Sequence, residues 1–184
     1  MEYFVLPTFS MYSLWIVLLG FAVLAWLIMG IGDRLRGVKV ENEEHLGVRT
    51  ALVRVPPLLA LFVVSVFTPL TPGPLFWGGV ALCSVSLLIY VLAIWAFVRA
   101  RSGLTTIGVY RFSRNPMYVA MYALFAGLAL MAWSTAPLMG LLVVVVALWY
   151  APVTHWSVRG EERYLEGRFG DEYRAYMQRV ARYL

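Results

Sequence analysis

The chain has 184 residues, of which 61% are hydrophobic and 14% are charged. A soluble globular domain has roughly 45–50% apolar and about 25% charged residues, so this composition excludes a soluble protein and indicates an integral membrane protein. The net charge of +5 suits anionic lipid head groups, and because the arginines are confined to short segments beside apolar stretches, we do not expect a nucleic-acid partner.

The apolar stretches, taken in chain order, predict five membrane-spanning helices. The first is about twenty residues long, which is one span. The uncharged stretch Val55–Val98 is too long for one helix and is divided by a segment rich in proline at 68–74. The uncharged stretch Met117–Thr154 would form a helix of about 57 Å, whereas a bilayer core is about 30 Å thick, and Trp133–Pro137 is a turn signal. We therefore expect an all-α integral membrane fold, a single domain over residues 1–184, with spans at about 12–31, 52–68, 75–98, 117–133 and 137–154.

The basic residues predict the orientation of these spans. All 15 lysines and arginines fall in the segments 33–54, 99–114 and 159–182, which five spans place on one side of the membrane. The positive-inside rule makes that side cytoplasmic, so the N-terminus is expected outside and the C-terminus in the cytoplasm. A cytoplasmic rim is then formed by 99–118 and 155–184, and the second of these segments has the apolar spacing of an interfacial helix.

The last two spans are expected to fold as a hairpin that returns the chain to the face it left. Gly108–Tyr118 and Glu161–Tyr176 should then meet at the rim, although they are remote in sequence. Asn115 is a suitable N-cap for the fourth span and Pro116 suits its first turn. The free N–H groups of such a helix start suit an anionic ligand group.

Adjacent carboxylates, Glu161 and Glu162, follow the fifth span. From local sequence alone they are interpreted equally well as first-turn charges favoured by a helix dipole and as ligand-binding groups. The hairpin favours the second interpretation, because it places them opposite Arg111, Arg114 and Asn115. Such a set can hold a zwitterion that bears both an ammonium and a carboxylate.

Two sequence blocks resemble the signature of the isoprenylcysteine carboxyl methyltransferases and their bacterial relatives. The first comprises Gly108–Arg111 and Arg114–Tyr118, and the family commonly has Arg-His-Pro-x-Tyr in its second part. The second block reads Glu161-Glu162, Leu165, Phe169-Gly170, Tyr173, Tyr176 and Arg179-Val180. The resemblance covers about the last eighty residues. It implies a methyltransferase of a bacterial inner membrane that uses S-adenosylmethionine and modifies a carboxylate or other nucleophile of a lipophilic, prenylated or lipid acceptor.

The same resemblance implies that the cofactor binds at the rim between the two blocks. The glutamates are expected to attract the methionyl amine, while an arginine or helix-start amides hold its carboxylate. No metal is expected. The expected cofactor-binding residues are Gly108, Val109, Tyr110, Arg114, Asn115, Pro116, Met117, Tyr118, Glu161, Glu162 and Leu165. The candidate catalytic residues are Arg111, Arg114 and Arg179, of which Arg111 or Arg179 would orient an anionic acceptor.

The chain departs from the family pattern at two places, and two other functions stay open. Asn115 replaces the common histidine and cannot shuttle protons near neutral pH, and Ala181 follows Val180 where eukaryotic enzymes typically have proline. One alternative is a membrane reductase of the sterol-reductase type that uses NADPH, since related C-terminal motifs occur there, although with more spans. The other is a non-enzymatic membrane scaffold whose Glu and Arg residues are helix caps and surface charges.

Overall fold

The computed structural model describes residues 13–36, 48–100 and 104–184, and within these ranges the chain is helical apart from turns and one bridging pair, Ser13 with Pro69. The predicted outer N-terminus and most of the predicted loop between the first two spans lie outside the described residues. A 3₁₀ turn, Gly108–Arg111, precedes the fourth helix. The α-helices of the described ranges are α1 (Leu14–Arg36), α2 (Val48–Val66), α3 (Pro74–Arg99), α4 (Pro116–Thr135), α5 (Pro137–Phe169) and α6 (Asp171–Arg179).

Three helices of the described chain are long and apolar enough to cross a membrane, namely α3, α4 and α5. Each begins with a proline at its first position, where the missing N–H removes no helical hydrogen bond. Both ends of α3 and both ends of α4 lie within two residues of the ends of the corresponding predicted spans. Shorter apolar stretches occur in α1, at 14–28, and in α2, at 55–66.

The predicted hairpin of the last two long helices is confirmed. Ala136 is extended, with φ −141° and ψ 98°, because the residue before a proline disfavours the helical region, and Pro137 starts α5. Along the pair, contacts join later residues of α4 to earlier residues of α5: Tyr118 with Glu161, Tyr122 with Thr154, and Phe125 with Tyr150. The two helices are therefore antiparallel.

The end of the fifth predicted span is not a helix end. α5 continues through His155 to Phe169, and its 33 residues make a helix of about 50 Å, some 20 Å longer than a bilayer core. Glu161 and Glu162 lie in the interior of this helix, so their interpretation as first-turn charges is wrong. Gly170 ends the helix with a positive φ of 53°, whereas Gly167 does not interrupt it.

The α4 helix packs against α3 by direct contact of their backbones. A Cβ atom on Gly127 would lie 2.8 Å from the carbonyl oxygen of Gly79 and 2.7 Å from Cys83 Sγ. Nearer the start of α4, Ser86 Oγ donates a hydrogen bond of 2.6 Å to the carbonyl oxygen of Ala120. These contacts fix the position of α4, whose first turn carries part of the candidate site.

Candidate functional site

The corner before α4 is held by the segment 180–184, which we call the closing segment. Arg114 N donates to the carbonyl oxygen of Ala181 over 3.0 Å, and Asn115 Nδ2 donates to that of Arg182 over 3.1 Å. Ser113 Oγ donates to the same Arg182 oxygen and accepts from Asn115 N. Asn115 stands at the predicted N-cap position of α4, but its side chain binds the closing segment instead of capping the helix.

The two predicted sequence blocks are joined by hydrogen bonds, of which one links α4 to α5. Tyr118, in the first turn of α4, donates its hydroxyl hydrogen to Glu161 Oε1 over 2.8 Å, although the two residues are 43 positions apart. Glu161 is exposed, and Tyr118 is half-buried. The expectation that these blocks meet at one end of the helix hairpin is confirmed.

Glu162 is buried between two arginines. Its side chain is 9% exposed, and Arg114 Nη1 lies 3.2 Å from its Oε1. Arg182 approaches both carboxylate oxygens, with Nε 3.1 Å from Oε1 and Nη2 2.8 Å from Oε2. This bidentate geometry is the strong form of an arginine–carboxylate pair. Arg182 is not among the site residues that the sequence predicts, because no local pattern indicates that the closing segment folds back onto α5.

Arg114 is nine-tenths buried and still has donors available. Among the described residues, its Nε and Nη1 find no hydrogen-bond partner, although Nη1 is close enough to Glu162 for charge attraction. Buried donors are seldom left unpaired in folded proteins, and such exceptions are informative. Arg114 therefore retains the capacity to bind an anionic group.

Two tyrosines of α6 pack beneath Arg114. Burial raises the pKa of Tyr173, and the negative charge of Glu162 raises it further, while Arg114 opposes both effects. The hydroxyl of Tyr176 donates to the carbonyl oxygen of Tyr110 over 2.7 Å, and burial raises the pKa of Tyr176 to about 12. Both hydroxyls therefore stay protonated at neutral pH and hold α6 against the corner.

The closing segment also reaches the wall of the α4–α5 hairpin. The Tyr183 ring packs edge-on against Tyr122, and its hydroxyl lies 3.2 Å from His155 Nδ1. The Tyr122 hydroxyl and Thr154 Oγ1 form a hydrogen bond. A polar patch thus extends from the glutamates toward the apolar part of the hairpin.

The other predicted site residues do not contact the glutamates in the way that Tyr118 and Arg114 do. Gly108, Val109 and the exposed Arg111 line a separate groove against α3. The exposed Arg179 donates through Nε to the carbonyl oxygen of Ala175 in its own helix. Of the three candidate catalytic arginines, the structure brings only Arg114 to the glutamates. Pro116 is buried, and Met117, Tyr110 and Leu165 are half-buried.

The site thus combines an exposed carboxylate with a buried guanidinium that has unsatisfied donors. Glu161 suits a cationic group and Arg114 an anionic one, which are the two charges of a free amino-acid moiety. Among the described residues, no group of three or more His, Cys, Asp or Glu side chains is placed to hold a metal ion.

Comparison with known proteins gives one family match. A model of the phospholipid methyltransferase family matches residues 76–172, just over half of the chain. That range includes both glutamates and the corner before α4, but not the closing segment. An uncharacterized protein from Haemophilus influenzae is 29% identical over 68 residues, which are 37% of this chain and 100% of that protein. No solved structure matches the chain.

Proposed function

Since the chain belongs to the phospholipid methyltransferase family, and is by that membership a membrane methyltransferase, we propose that it transfers a methyl group from S-adenosylmethionine to a lipophilic acceptor. The resemblance of its two blocks to the isoprenylcysteine carboxyl methyltransferases agrees with the family match. The observation that carries the proposal is the cluster of Tyr118, Glu161, Arg114 and Glu162 at one end of an apolar hairpin.

We propose that the chain crosses a bacterial inner membrane five times, with the cluster at the cytoplasmic rim. Support comes from three membrane-length helices and from the apolar stretches of α1 and α2. The segments with the basic residues then all lie on one side, as the positive-inside rule requires. A water-soluble methyl donor would reach the rim from the cytoplasm, and an amphipathic acceptor would arrive from the bilayer.

The residues present fit the amino-acid end of S-adenosylmethionine. Glu161 is exposed and oriented by Tyr118, so it is the carboxylate that we assign to the methionyl ammonium. The buried Nε of Arg114, which finds no hydrogen-bond partner among the described residues, is assigned to the methionyl carboxylate. Glu162 is already enclosed by Arg114 and Arg182, and its role is to position Arg114.

S-adenosylmethionine supplies a methyl group on a sulfonium, which is an activated leaving group. The protein then has to hold donor and acceptor in line and exclude water, and such positioning can supply about 7–11 kcal/mol of the barrier. A carboxylate acceptor needs no general base, which suits a corner where Asn115 stands in place of histidine. A lipid or a lipid-modified molecule that ends in a carboxylate is an acceptor of this kind.

Binding measurements on the purified full chain in detergent test the proposal. Isothermal titration with S-adenosylmethionine should give saturable binding, and Glu161→Gln should weaken it about 10- to 150-fold, as expected for one charge-assisted hydrogen bond of ~1.5–3 kcal/mol. Glu172→Gln is the matched control, because Glu172 is an exposed carboxylate of α6. Transfer of a labelled methyl group to membrane extracts would identify the acceptor.

Two results would contradict this assignment. Binding of NADPH in place of S-adenosylmethionine would favour the reductase alternative. Failure to bind either compound, with a folded protein, would favour a scaffold.

A further inference from the structure

A second feature of the same end of the molecule is a groove between α3 and the 3₁₀ turn, which we call the α3 groove. It has a volume of about 440 Å³, within the range of about 300–1,000 Å³ that small-ligand sites occupy. One wall is a single face of α3 with Leu92, Trp95 and Arg99 at helical spacing. The opposite wall includes Ile107 and Phe112.

The walls of the α3 groove are apolar and exposed. Trp95 is 58% exposed, and Phe112 is 74% exposed. Since α3 has the length and hydropathy of a membrane span and Arg99 is its last residue, these side chains lie near its polar end. Tryptophan is enriched at that depth, where an aromatic ring contacts acyl chains and head groups together.

The polar groups of the α3 groove are two arginines. Arg99 and Arg111 both line it, and within the described residues neither forms an ion pair with a carboxylate and no carboxylate lines the groove. The Arg99 guanidinium lies over the Trp95 ring, 5.4 Å from its centroid. Two positive charges at the end of an apolar groove are complementary to an anion that carries a hydrocarbon chain.

The α3 groove is distinct from the candidate methyltransferase site. Arg111 is exposed and lies against α3, whereas Arg114 is nine-tenths buried and paired with Glu162 of α5. Gly108, with a φ of 61°, brings the 3₁₀ turn against α3, since a Cβ there would lie 3.3 Å from the Ala96 Cβ. The turn thus places Arg111 at the α3 groove, whereas Arg114, which follows the turn, lies at the candidate methyltransferase site.

We propose that the α3 groove binds an anionic phospholipid, whose phosphate is held by Arg99 and Arg111 and whose acyl chain lies along Leu92, Trp95 and Ile107. A soluble anion would satisfy the guanidiniums but leave the apolar wall in water. A zwitterionic lipid would bring a cationic group to two arginines. The lipid is a bound partner of the fold and does not depend on the methyl-transfer reaction.

Native mass spectrometry of the full chain in detergent, titrated with phosphatidylglycerol or phosphatidylcholine, tests this proposal. Wild type should retain phosphatidylglycerol in preference. The double variant Arg99→Gln/Arg111→Gln should weaken that retention about 30-fold, because each arginine near an anionic head group contributes roughly fivefold. The double variant Arg99→Lys/Arg111→Lys should keep most of it, since the charges remain.

The matched control is Arg163→Gln/Arg168→Gln. Both side chains are exposed on α5, outside the groove, and the Arg168 guanidinium also lies over an aromatic ring, 5.6 Å from the Phe169 centroid. This control should retain the lipid as wild type does. Equal losses in the two glutamine double variants, equal retention of both lipids, or full competition by soluble glycerol phosphate would each overturn the proposal.

Discussion

The two adjacent glutamates are expected to respond differently to the same substitution. Glu162→Gln removes the negative charge between Arg114 and Arg182 and leaves Arg114, whose side chain is 10% exposed, without its counter-charge. Glu161→Gln removes an exposed carboxylate that accepts a hydrogen bond from Tyr118. We therefore predict that Glu162→Gln weakens the attachment of the closing segment and that Glu161→Gln does not.

The size of the expected loss of stability in Glu162→Gln follows from how deeply Arg114 and Arg182 are buried. Breaking a fully buried ion pair costs about 3–5 kcal/mol, whereas an exposed pair is worth about 0–1 kcal/mol. The Arg114 contact belongs to the first class, and Arg182, with 35% of its side chain exposed, lies between the two. Glu162→Gln is therefore expected to lower the free energy of local opening of the closing segment by about 3 kcal/mol.

Hydrogen exchange of the Arg114 amide reports this opening directly, because that amide donates to the carbonyl oxygen of Ala181. A loss of about 3 kcal/mol corresponds to exchange about 150-fold faster in Glu162→Gln if exchange follows local opening. Glu161→Gln should leave the exchange rate close to that of wild type. Both variants should weaken S-adenosylmethionine binding, the first by displacing Arg114 and the second by removing the carboxylate assigned to the ammonium.

Unchanged protection of the Arg114 amide in Glu162→Gln would refute the reasoning, since the buried pair would then not hold the closing segment. The division of roles would also fail if Glu161→Gln lost protection to the same extent. Protection partly restored in the double variant Glu162→Gln/Arg114→Gln would support the pairing, because the buried charge that lost its partner is then removed as well.

Three further predictions concern packing, pH and the tyrosine of the first turn. Gly127→Ala should lower the stability of the fold by about 1–3 kcal/mol, because the added Cβ would overlap α3. Gly160→Ala, whose added Cβ would have no atom within 4 Å, should leave the stability unchanged or raise it. Thermal unfolding in detergent measures both effects. The pKa of Tyr176 is raised from 10.0 to about 12 in the folded state, so its contribution to stability is complete below pH 10 and lost between pH 10 and about 12. Tyrosinate absorbance followed with circular dichroism should record that loss, and Tyr176→Phe should weaken this step. Tyr118→Phe should weaken S-adenosylmethionine binding less than Glu161→Gln does, because it removes only the group that orients the carboxylate; equal losses by titration would contradict this order.

The fold was predictable where hydropathy and proline placement determine it. The 38-residue uncharged stretch 117–154 exceeds the bilayer thickness so far that it requires a turn, and Pro137 marks where that turn ends. The continuation of α5 beyond Thr154 was not predictable in this way. A change from apolar to charged residues marks where a helix leaves the membrane, not where it ends.

The contacts of the candidate site were predictable only in part. The meeting of Tyr118 with Glu161 follows from the hairpin, but the placement of Arg111 and Arg114 does not. These arginines are three residues apart, and the 3₁₀ turn ends between them, so one lies against α3 and the other against α5. The role of Arg182 depends on a long-range contact of the closing segment, which no local pattern encodes.

The geometry of an α-helix explains why a glutamate doublet provides two functions here. Successive residues of a helix point about 100° apart, so Glu161 and Glu162 leave α5 on different sides. Because α5 continues through them, one carboxylate stays exposed beside Tyr118 and the other turns inward, where a charge has to be paired. Arg182 supplies that pair from the closing segment and brings the backbone carbonyls of Ala181 and Arg182 onto the corner before α4. The buried glutamate thus holds Arg114 in place, while Glu161 stays exposed beside Tyr118.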